Sequence, residues 1–248
     1  MNYVVEAHNL GKKYRRYSSD RPYTLQEAVV KGLRGIRPVD YQWALRRVNF
    51  DIEKGMMLGV VGNNGAGKST LLRLLGQIGR PDEGSLIVRG SVGGLLEIGA
   101  GFHSDLTGKE NVYINAIISG LLKSEVDELF DEIIAFAELK DVIGEPLRTY
   151  STGMKMRLGF AIAAHTDPDI LLIDEVLAVG DASFRQKCVE RIHQFKKHGK
   201  TIVYVSHDIQ QVQKICDEVI LLKQGEIVQH GEPEQVVSSY LHEVQNVS

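Results

Sequence analysis

The sequence predicts an α/β fold in which helices cover a mixed, mainly parallel β-sheet. Three short runs are apolar throughout: Met57–Val61, Ile170–Ile173 and Ile202–Val205. Buried parallel strands carry such runs, whereas a sheet with one solvated face shows apolar/polar alternation. Helical spacing of apolar residues occurs between these runs, over 68–75, 111–139 and 154–164. Strands that alternate with helices in this way are typical of a parallel sheet.

Length and composition predict one domain, 1–248, with a sizeable core. Of the 248 residues, 43% are apolar and 25% are charged, as is usual for a globular domain. No window approaches the roughly 18 to 20 consecutive apolar residues of a membrane-spanning helix, and the N-terminus lacks a signal-peptide pattern, so we expect a cytoplasmic protein. Cys188 and Cys216 fit neither a disulfide framework nor a metal site, and we interpret both as small buried apolar side chains.

A basic segment near the N-terminus contrasts with the rest of the chain. Gly11–Arg47 contains ten cations and three anions, a net charge of +7, whereas the whole chain has a net charge of −3. Such a block favours an anionic neighbour, either nucleic acid or a membrane surface. Within it, Leu25–Ile36 has helical spacing, with Arg34 and Arg37 away from the apolar face. This pattern is typical of a helix that lies on a membrane or a partner, and an ordinary surface helix is the alternative.

A glycine-rich motif follows the first apolar strand. Residues 62–69 read G-x-x-x-x-G-K-S, and a helical pattern begins at Lys68. The glycines let successive backbone N–H groups face phosphates at a helix N-terminus, Lys68 brings positive charge to the β- and γ-phosphates, and the Ser69 hydroxyl can bind Mg²⁺. The predicted contacts are Gly62, Asn63, Asn64, Gly65, Ala66, Gly67, Lys68, Ser69 and Thr70.

Two carboxylates follow the second apolar strand. Asp174 and Glu175 stand at its C-terminal end, the edge at which open parallel sheets hold their ligands. We expect Asp174 to bind Mg²⁺ and Glu175 to accept a proton from the attacking water, as the general base. Taken without the glycine-rich loop, the same pair also fits a solvated strand end.

The segment Tyr150–Met154 precedes a predicted helix, and alone it indicates only an N-cap at Ser151. Between the phosphate loop and the two carboxylates, however, it resembles the Leu-Ser-Gly-Gly-Gln signature of the ABC ATPase family, in which Ser151 and Gly153 match. Thr152 replaces a glycine and Met154 replaces the glutamine, so this loop is less permissive at one position and loses one polar contact. The resemblance implies a P-loop NTPase of ABC type that binds ATP and Mg²⁺, with a helical subdomain at about 98–165.

The same resemblance assigns roles to four further residues. Asp181 is similar to the D-loop aspartate, and His207 to the switch histidine that senses the γ-phosphate. Tyr14 looks like the aromatic residue that stacks on adenine, with Tyr17 as a possible substitute. Glu97 stands where most members carry the Q-loop glutamine, and its carboxylate could approach Mg²⁺.

A subgroup of the family shares more of the sequence: the ATPases that export O-antigen, capsular polysaccharide or teichoic acid. The resemblance lies in a basic insert at 15–47, in the 95–102 and 103–112 segments, and in 174–181. It implies a homodimer with ATP between two head-to-tail copies, a separate integral membrane subunit that docks on 97–115, and a lipid-linked polysaccharide as cargo. We expect peripheral attachment to the cytoplasmic face of the bacterial inner membrane. The chain ends about forty residues after His207, and we expect no C-terminal carbohydrate-binding domain.

Two other interpretations stay open at this point. The first is an ABC ATPase that acts on DNA or ribosomes, for which the basic insert would be a nucleic-acid contact. Such proteins usually carry paired cassettes or long coiled-coil insertions, which the sequence lacks, so we expect no nucleic-acid partner. The second is the same ATPase serving a transporter for a lipid, a drug or an ion.

Overall fold

The secondary structure comes from a computed structural model that describes residues 2–16, 40–94, 101–174, 181–206 and 208–245. Its strands are β1 (Tyr3–Arg16), β2 (Asp40–Glu53), β3 (Met57–Val61), β4 (Glu83–Val88), β5 (Val92–Gly94), β6 (Ile170–Ile173), β7 (Thr201–Val205), β8 (Glu218–Lys223) and β9 (Glu226–Gly231). Its α-helices are α1 (Lys68–Leu75), α2 (Gly108–Ile118), α3 (Lys123–Ala137), α4 (Thr152–His165), α5 (Ala182–Lys197), α6 (Ile209–Ile215) and α7 (Pro233–Gln245).

The larger sheet has the strand order β5-β6-β7-β3-β8-β9. All of its neighbouring strands pair in parallel except β8 and β9, which are antiparallel. Every residue of β3, β6 and β7 is buried, because apolar side chains on both faces pack against other elements. The α/β fold with a mixed, mainly parallel sheet is therefore confirmed.

The smaller sheet is antiparallel, with the order β2-β1-β4. The pairing of β1 with β2 runs from Tyr3 opposite Glu53 to Arg16 opposite Asp40. Residues 15, 16 and 40–47, which we assigned to the basic insert, therefore belong to paired strands, since their backbone groups continue the ladder of the sheet. The predicted helix of the insert lies outside the described residues.

The region predicted as a helical subdomain contains α2, α3 and α4, which share a separate apolar core. The helical apolar spacing over 111–139 is divided in the structure between α2 and α3. Gly120 lies in this break with φ of +104°, a conformation that glycine adopts at little cost. Thr107 and Glu110 cap the start of α2 through reciprocal hydrogen bonds. No helix within the described ranges is long and apolar enough to cross a membrane.

Candidate functional site

The glycine-rich loop connects β3 to α1, as the sequence predicts. Gly62 and Gly67 have φ of +150° and +111°, and a side chain at either position would collide with backbone. A Cβ atom would lie 2.1 Å from the Leu222 carbonyl oxygen at Gly62 and 2.4 Å from the Ala44 carbonyl oxygen at Gly67. Both positions therefore require glycine so that the neighbouring strands can approach the loop.

An open cavity of about 390 Å³ lies above this loop. Its lining residues are Ala44, Asn64, Gly65, Ala66, Gly67, Lys68, Ser69, Thr70 and Asp174. Lys68 is buried with 7% of its surface exposed, and its Nζ donates hydrogen bonds to the carbonyl oxygens of Gly62 at 2.7 Å and Asn63 at 3.2 Å. These two bonds hold the ammonium group over the curled backbone, at the N-terminus of α1, where anions bind.

The parallel sheet brings Asp174 to the cavity from a different part of the chain. Asp174 follows β6, the loop follows β3, and β7 lies between these two strands. Parallel strands end at the same edge, so the carboxylate and the Ser69 hydroxyl line one cavity although they are far apart in sequence. Hard oxygen donors of this kind suit Mg²⁺. Glu97, Glu175 and His207, which the sequence analysis also assigned to the site, lie outside the described residues.

Ala44 is a residue of the cavity wall that the sequence did not indicate. Lys13 pairs with Trp43 and Lys12 with Leu45, so Ala44 is the extra residue of a β-bulge in β2. The bulge lies against the phosphate loop through the close approach of Ala44 to Gly67. Sequence patterns do not reveal such a bulge, because it depends on the register between two strands.

The turn between β8 and β9 and helix α7 also contact the loop. The Gly225 N–H donates to the Ala66 carbonyl oxygen at 2.9 Å, and the Arg46 N–H donates to the Gly225 carbonyl oxygen at 2.8 Å. From α7, the Tyr240 hydroxyl donates to Asn63 Oδ1 at 3.3 Å. The loop is thus braced by β2, by this turn and by the last described helix.

Tyr14 lies near the end of β1, opposite Gln42 of β2 and two positions from Ala44 along the partner strand. The residue is 46% exposed, and the Nζ of Lys12 lies 5.9 Å from the centroid of its ring. An exposed ring beside the cavity wall is available to stack on a planar ligand. Tyr17 lies outside the described residues.

The signature residues belong to a second cavity, of about 430 Å³. Ser151 Oγ accepts the N–H of Met154 at 3.2 Å and so caps α4. Ser151 and Gly153 line this cavity together with Glu138 and Arg157, while the Thr152 side chain at the first position of α4 is exposed. Among the described residues, the lining of the first cavity includes none of these signature residues.

Asp181 caps α5 and faces the signature helix. Its Oδ1 accepts the N–H of Phe184 at 2.9 Å, and its Oδ2 accepts a bond from Arg157 Nη2 at 2.5 Å. The Phe184 N–H and the Arg157 guanidinium both favour the charged form, and they hold the pKa of Asp181 below its ordinary value. Asp181 is therefore linked to α4, the helix that Ser151 caps.

The phosphate loop at the edge of a parallel sheet defines a nucleotide-binding protein of the P-loop class. A family model described as ABC transporter matches residues 45–178. The chain therefore belongs to the ABC transporter family, and the family resemblance that the sequence indicated is confirmed.

Curated relatives support the same subgroup that the sequence resembled. The chain is 45% identical to the O-antigen export system ATP-binding protein RfbB of Myxococcus xanthus, over 92% of this chain and 53% of that protein. It is 41% identical to the teichoic acids export ATP-binding protein TagH of Lactiplantibacillus plantarum, over 96% of this chain and 64% of that protein. The chain thus spans between half and two thirds of the length of these two relatives.

Solved structures agree with the fold. A dimeric ATP-binding cassette in a post-hydrolysis state, bound to ADP and inorganic phosphate, superposes with a TM-score of 0.73. The match covers 92% of this chain and 98% of the cassette, at 23% sequence identity. At this identity the likeness establishes the shared fold.

Proposed function

We propose that the chain is the ATP-hydrolysing subunit that powers export of a lipid-linked polysaccharide through a separate membrane subunit. The observation that carries the proposal is the shared cavity, in which Lys68, Ser69 and Asp174 converge on the N-terminus of α1. A loop that binds phosphates, a buried lysine and a carboxylate at the end of another parallel strand are parts that nucleoside triphosphate hydrolysis requires.

Each residue of the cavity has a distinct task in this proposal. The backbone N–H groups of residues 64–70 hold the phosphates of ATP, and Lys68 exchanges its bonds to the loop carbonyls for bonds to the β- and γ-phosphates. Ser69 and Asp174 would hold Mg²⁺, which when bound neutralises phosphate charge. Glu175 orients the attacking water and accepts its proton, and His207 holds the γ-phosphate. Tyr14 stacks on the adenine ring.

A homodimer completes the site. Ser151 and Gly153 line a cavity of their own at the start of α4, where the N-terminal end of a helix favours negative charge. Two copies placed head to tail bring this helix end to the ATP that is held on the partner's phosphate loop. ATP then favours the closed dimer and hydrolysis reopens it, because the ligand has a higher affinity for the closed state.

The names of the relatives support both the cargo and the partner. RfbB and TagH are named as export proteins for O-antigen and teichoic acids, which are polymers of the cell surface. The segment 97–115 is the proposed docking site for the membrane subunit. On α2, Ile114 within this segment and Ile117 and Ile118 just after it have exposed apolar side chains, as expected of a surface that a partner covers. The chain would then lie on the cytoplasmic face of the membrane through this partner.

The test uses two substitutions in the chain, co-expressed with its membrane subunit. Glu175→Gln is expected to bind ATP, to remain as a trapped dimer and to lose hydrolysis, because an amide is not a base. Lys68→Ala is expected to lose nucleotide binding or turnover. Glu190→Gln, at an exposed position of α5, is the matched control and retains the wild-type rate.

Two outcomes would contradict the proposal. Hydrolysis at the wild-type rate in Glu175→Gln would reject its assignment as the base. Cells that carry Glu175→Gln are expected to lose one surface polymer, detected by gel analysis of their surface glycans. Unchanged surface glycans, together with loss of ATPase activity, would reject the polysaccharide cargo while leaving the ATPase assignment in place.

A further inference from the structure

Arg157 connects the signature helix to two other segments of the chain. It lies in α4, six positions after Ser151, and only 19% of its side chain is exposed. Its Nη1 donates to Glu138 Oε2 at 2.8 Å, and its Nη2 donates to Asp181 Oδ2 at 2.5 Å. Its guanidinium carbon lies 5.1 Å from the centroid of the Phe184 ring. One side chain therefore joins the end of α3, the helix α4 and the start of α5.

Charge and packing make this connection specific for arginine. The two ends of a planar guanidinium bond two different carboxylates, and its face covers an aromatic ring, a combination that lysine cannot reproduce. Only 19% of the Arg157 side chain is exposed, whereas the side chains of Glu138 and Asp181 are 41% and 61% exposed, so the guanidinium is shielded from solvent and the carboxylates are not.

Glu138 is itself held in place from two sides. It adopts φ of +60° at the C-terminal end of α3, a conformation that is uncommon for a residue other than glycine. Its second oxygen accepts a bond from Lys187 of α5. The bonds of Glu138 to Lys187 and Arg157 thus tie the helical subdomain to α5 and hold the guanidinium at a fixed position between α3 and α5.

The position of Arg157 beside the signature gives these bonds a consequence. Arg157 lines the same cavity as Ser151 and Gly153, and its partner Asp181 is the cap of α5. In the head-to-tail dimer of the proposed function, the signature faces the partner copy, and Asp181 lies next to it through its bond to Arg157. A rigid link between them makes the two segments approach the partner as one surface.

We infer that Arg157 is a positioning residue for the dimer: through Asp181 and Glu138 it fixes the signature end of α4 relative to the start of α5. Arg157 touches neither ATP nor the reacting water in this scheme. The inference rests on the proposed function, since it concerns the closed state in which ATP joins two copies. Arg157 therefore supports closure of the dimer and takes no part in nucleotide binding by a single chain.

The experiment compares Arg157→Met with Arg191→Met in the Glu175→Gln background. Arg191 is a matched control because it also links α5 to α4, with bonds from Nε and Nη2 to the Ala164 carbonyl oxygen at 3.0 and 2.7 Å. Its guanidinium also lies 5.1 Å from a phenylalanine ring, that of Phe195. The control also removes guanidinium hydrogen bonds between α5 and α4 and a contact with a phenylalanine ring, but at the opposite end of α4, away from the signature.

Two quantities are measured for each variant: the affinity of the single chain for a fluorescent ATP analogue, and the dimer dissociation constant in ATP by analytical ultracentrifugation. We expect Arg157→Met to keep its nucleotide affinity within about twofold and to weaken the dimer about tenfold, which corresponds to about 1.4 kcal/mol. The dimer dissociation constant of Arg157→Lys should lie between those of the parent and of Arg157→Met, because an ammonium group reaches one carboxylate but not both. Arg191→Met should dimerise like its parent.

A double-mutant cycle separates positioning from general stability. Asp181→Asn keeps an oxygen that can cap α5 but loses the charge that Arg157 binds. If the two residues act through their mutual bond, the double variant dimerises no more weakly than Arg157→Met alone, whereas independent effects would add. Additive effects, an undiminished dimer in Arg157→Met, or equal loss in Arg191→Met would each overturn the inference.

Failure of a variant to fold, or of the parent to dimerise, also has a defined consequence. If Arg157→Met does not fold, Arg157→Lys replaces it in the cycle, and dimerisation equal to its parent contradicts the inference. If the Glu175→Gln parent itself fails to dimerise in ATP, the proposed function fails and the inference fails with it. If the parent dimerises in ATP and the Arg157 variant dimerises equally well, the inference is rejected and the proposed function is not.

Discussion

Replacing Gly67 with alanine tests how closely strand β2 approaches the phosphate loop. Gly67 has φ of +111°, and its added Cβ would lie 2.4 Å from the Ala44 carbonyl oxygen and 2.9 Å from Leu45 Cδ2. Real Cβ atoms do not approach backbone oxygen so closely, so the bulge in β2 or the loop must shift. We expect Gly67→Ala to lower both the stability of the chain and its affinity for nucleotide.

The magnitude follows from two contributions. A non-glycine residue in a sparsely populated backbone conformation costs about 1–3 kcal/mol, and a forced shift in a packed region costs a further ~1–3 kcal/mol. The free energy of unfolding should therefore fall by about 2–6 kcal/mol. For a domain of this size, each kcal/mol lowers Tm by about 2–4 °C.

Gly120→Ala is the control for the backbone term. Gly120 has a similar φ of +104°, but a Cβ there would have no heavy atom within 4 Å. Both substitutions also restrict the unfolded chain to the same extent, so that this effect cancels in the comparison. Gly67→Ala should be the less stable of the two by about 1–3 kcal/mol, which is the steric part alone.

The assay is thermal unfolding followed by circular dichroism, with titration of the ATP analogue on each folded variant. Gly120→Ala should bind the analogue as the wild type does, because Gly120 lies between α2 and α3, outside the cavity. Equal loss of stability in the two variants, or unchanged nucleotide affinity in Gly67→Ala, would refute the close packing of β2 on the loop.

Three further predictions concern other parts of the chain. The folded-state pKa of Asp181 is lowered, so the stability that this carboxylate contributes is present above its ordinary pKa of 3.8 and is lost as pH falls through the folded value. The Tm difference between the wild type and Asp181→Asn should therefore shrink in acid. A Tm difference that stays constant with pH would contradict this. Burial raises the pKa of Cys188 and of Cys216 to about 12. A thiol reagent at neutral pH should therefore label both cysteines only after the chain unfolds. Rapid labelling of the native chain would contradict their burial. Neutralising Arg34 and Arg37 together should weaken association of the chain with membranes or with the membrane subunit, without altering basal ATPase activity. Co-sedimentation measures this association. Unchanged association would reject the functional interpretation of the basic insert.

The parts of the site that the sequence predicted well are those set by local pattern. β3 and α1 have the predicted bounds, because a buried apolar strand, a glycine turn and a helix start are all specified within a few residues. The convergence of Asp174 with Ser69 was also predictable, since parallel strands share their C-terminal edge. The cap at Ser151 was predictable for the same local reason.

The parts that the sequence did not reveal depend on distant contacts. Ala44 reaches the cavity through a bulge whose position is set by the register of β1 and β2, and Tyr240 reaches Asn63 from α7. Arg157 looks like an ordinary helix cation until its two carboxylate partners are located in space. Sequence periodicity carries no information on such pairings, because they arise only when separate elements pack together.

Mixing two inactive variants tests whether each ATP lies between the phosphate loop of one copy and the signature of the other. Lys68→Ala removes the loop cation, and Gly153→Asp places a carboxylate at the signature, where a Cβ meets only Ser151 Oγ at 3.8 Å. In a mixed dimer both defects fall on one site and the other site is intact, so ATPase activity should return on mixing although each variant alone is inactive. If each chain instead used its own signature, every site would carry one defect, and a mixture as inactive as the separate variants would contradict the account.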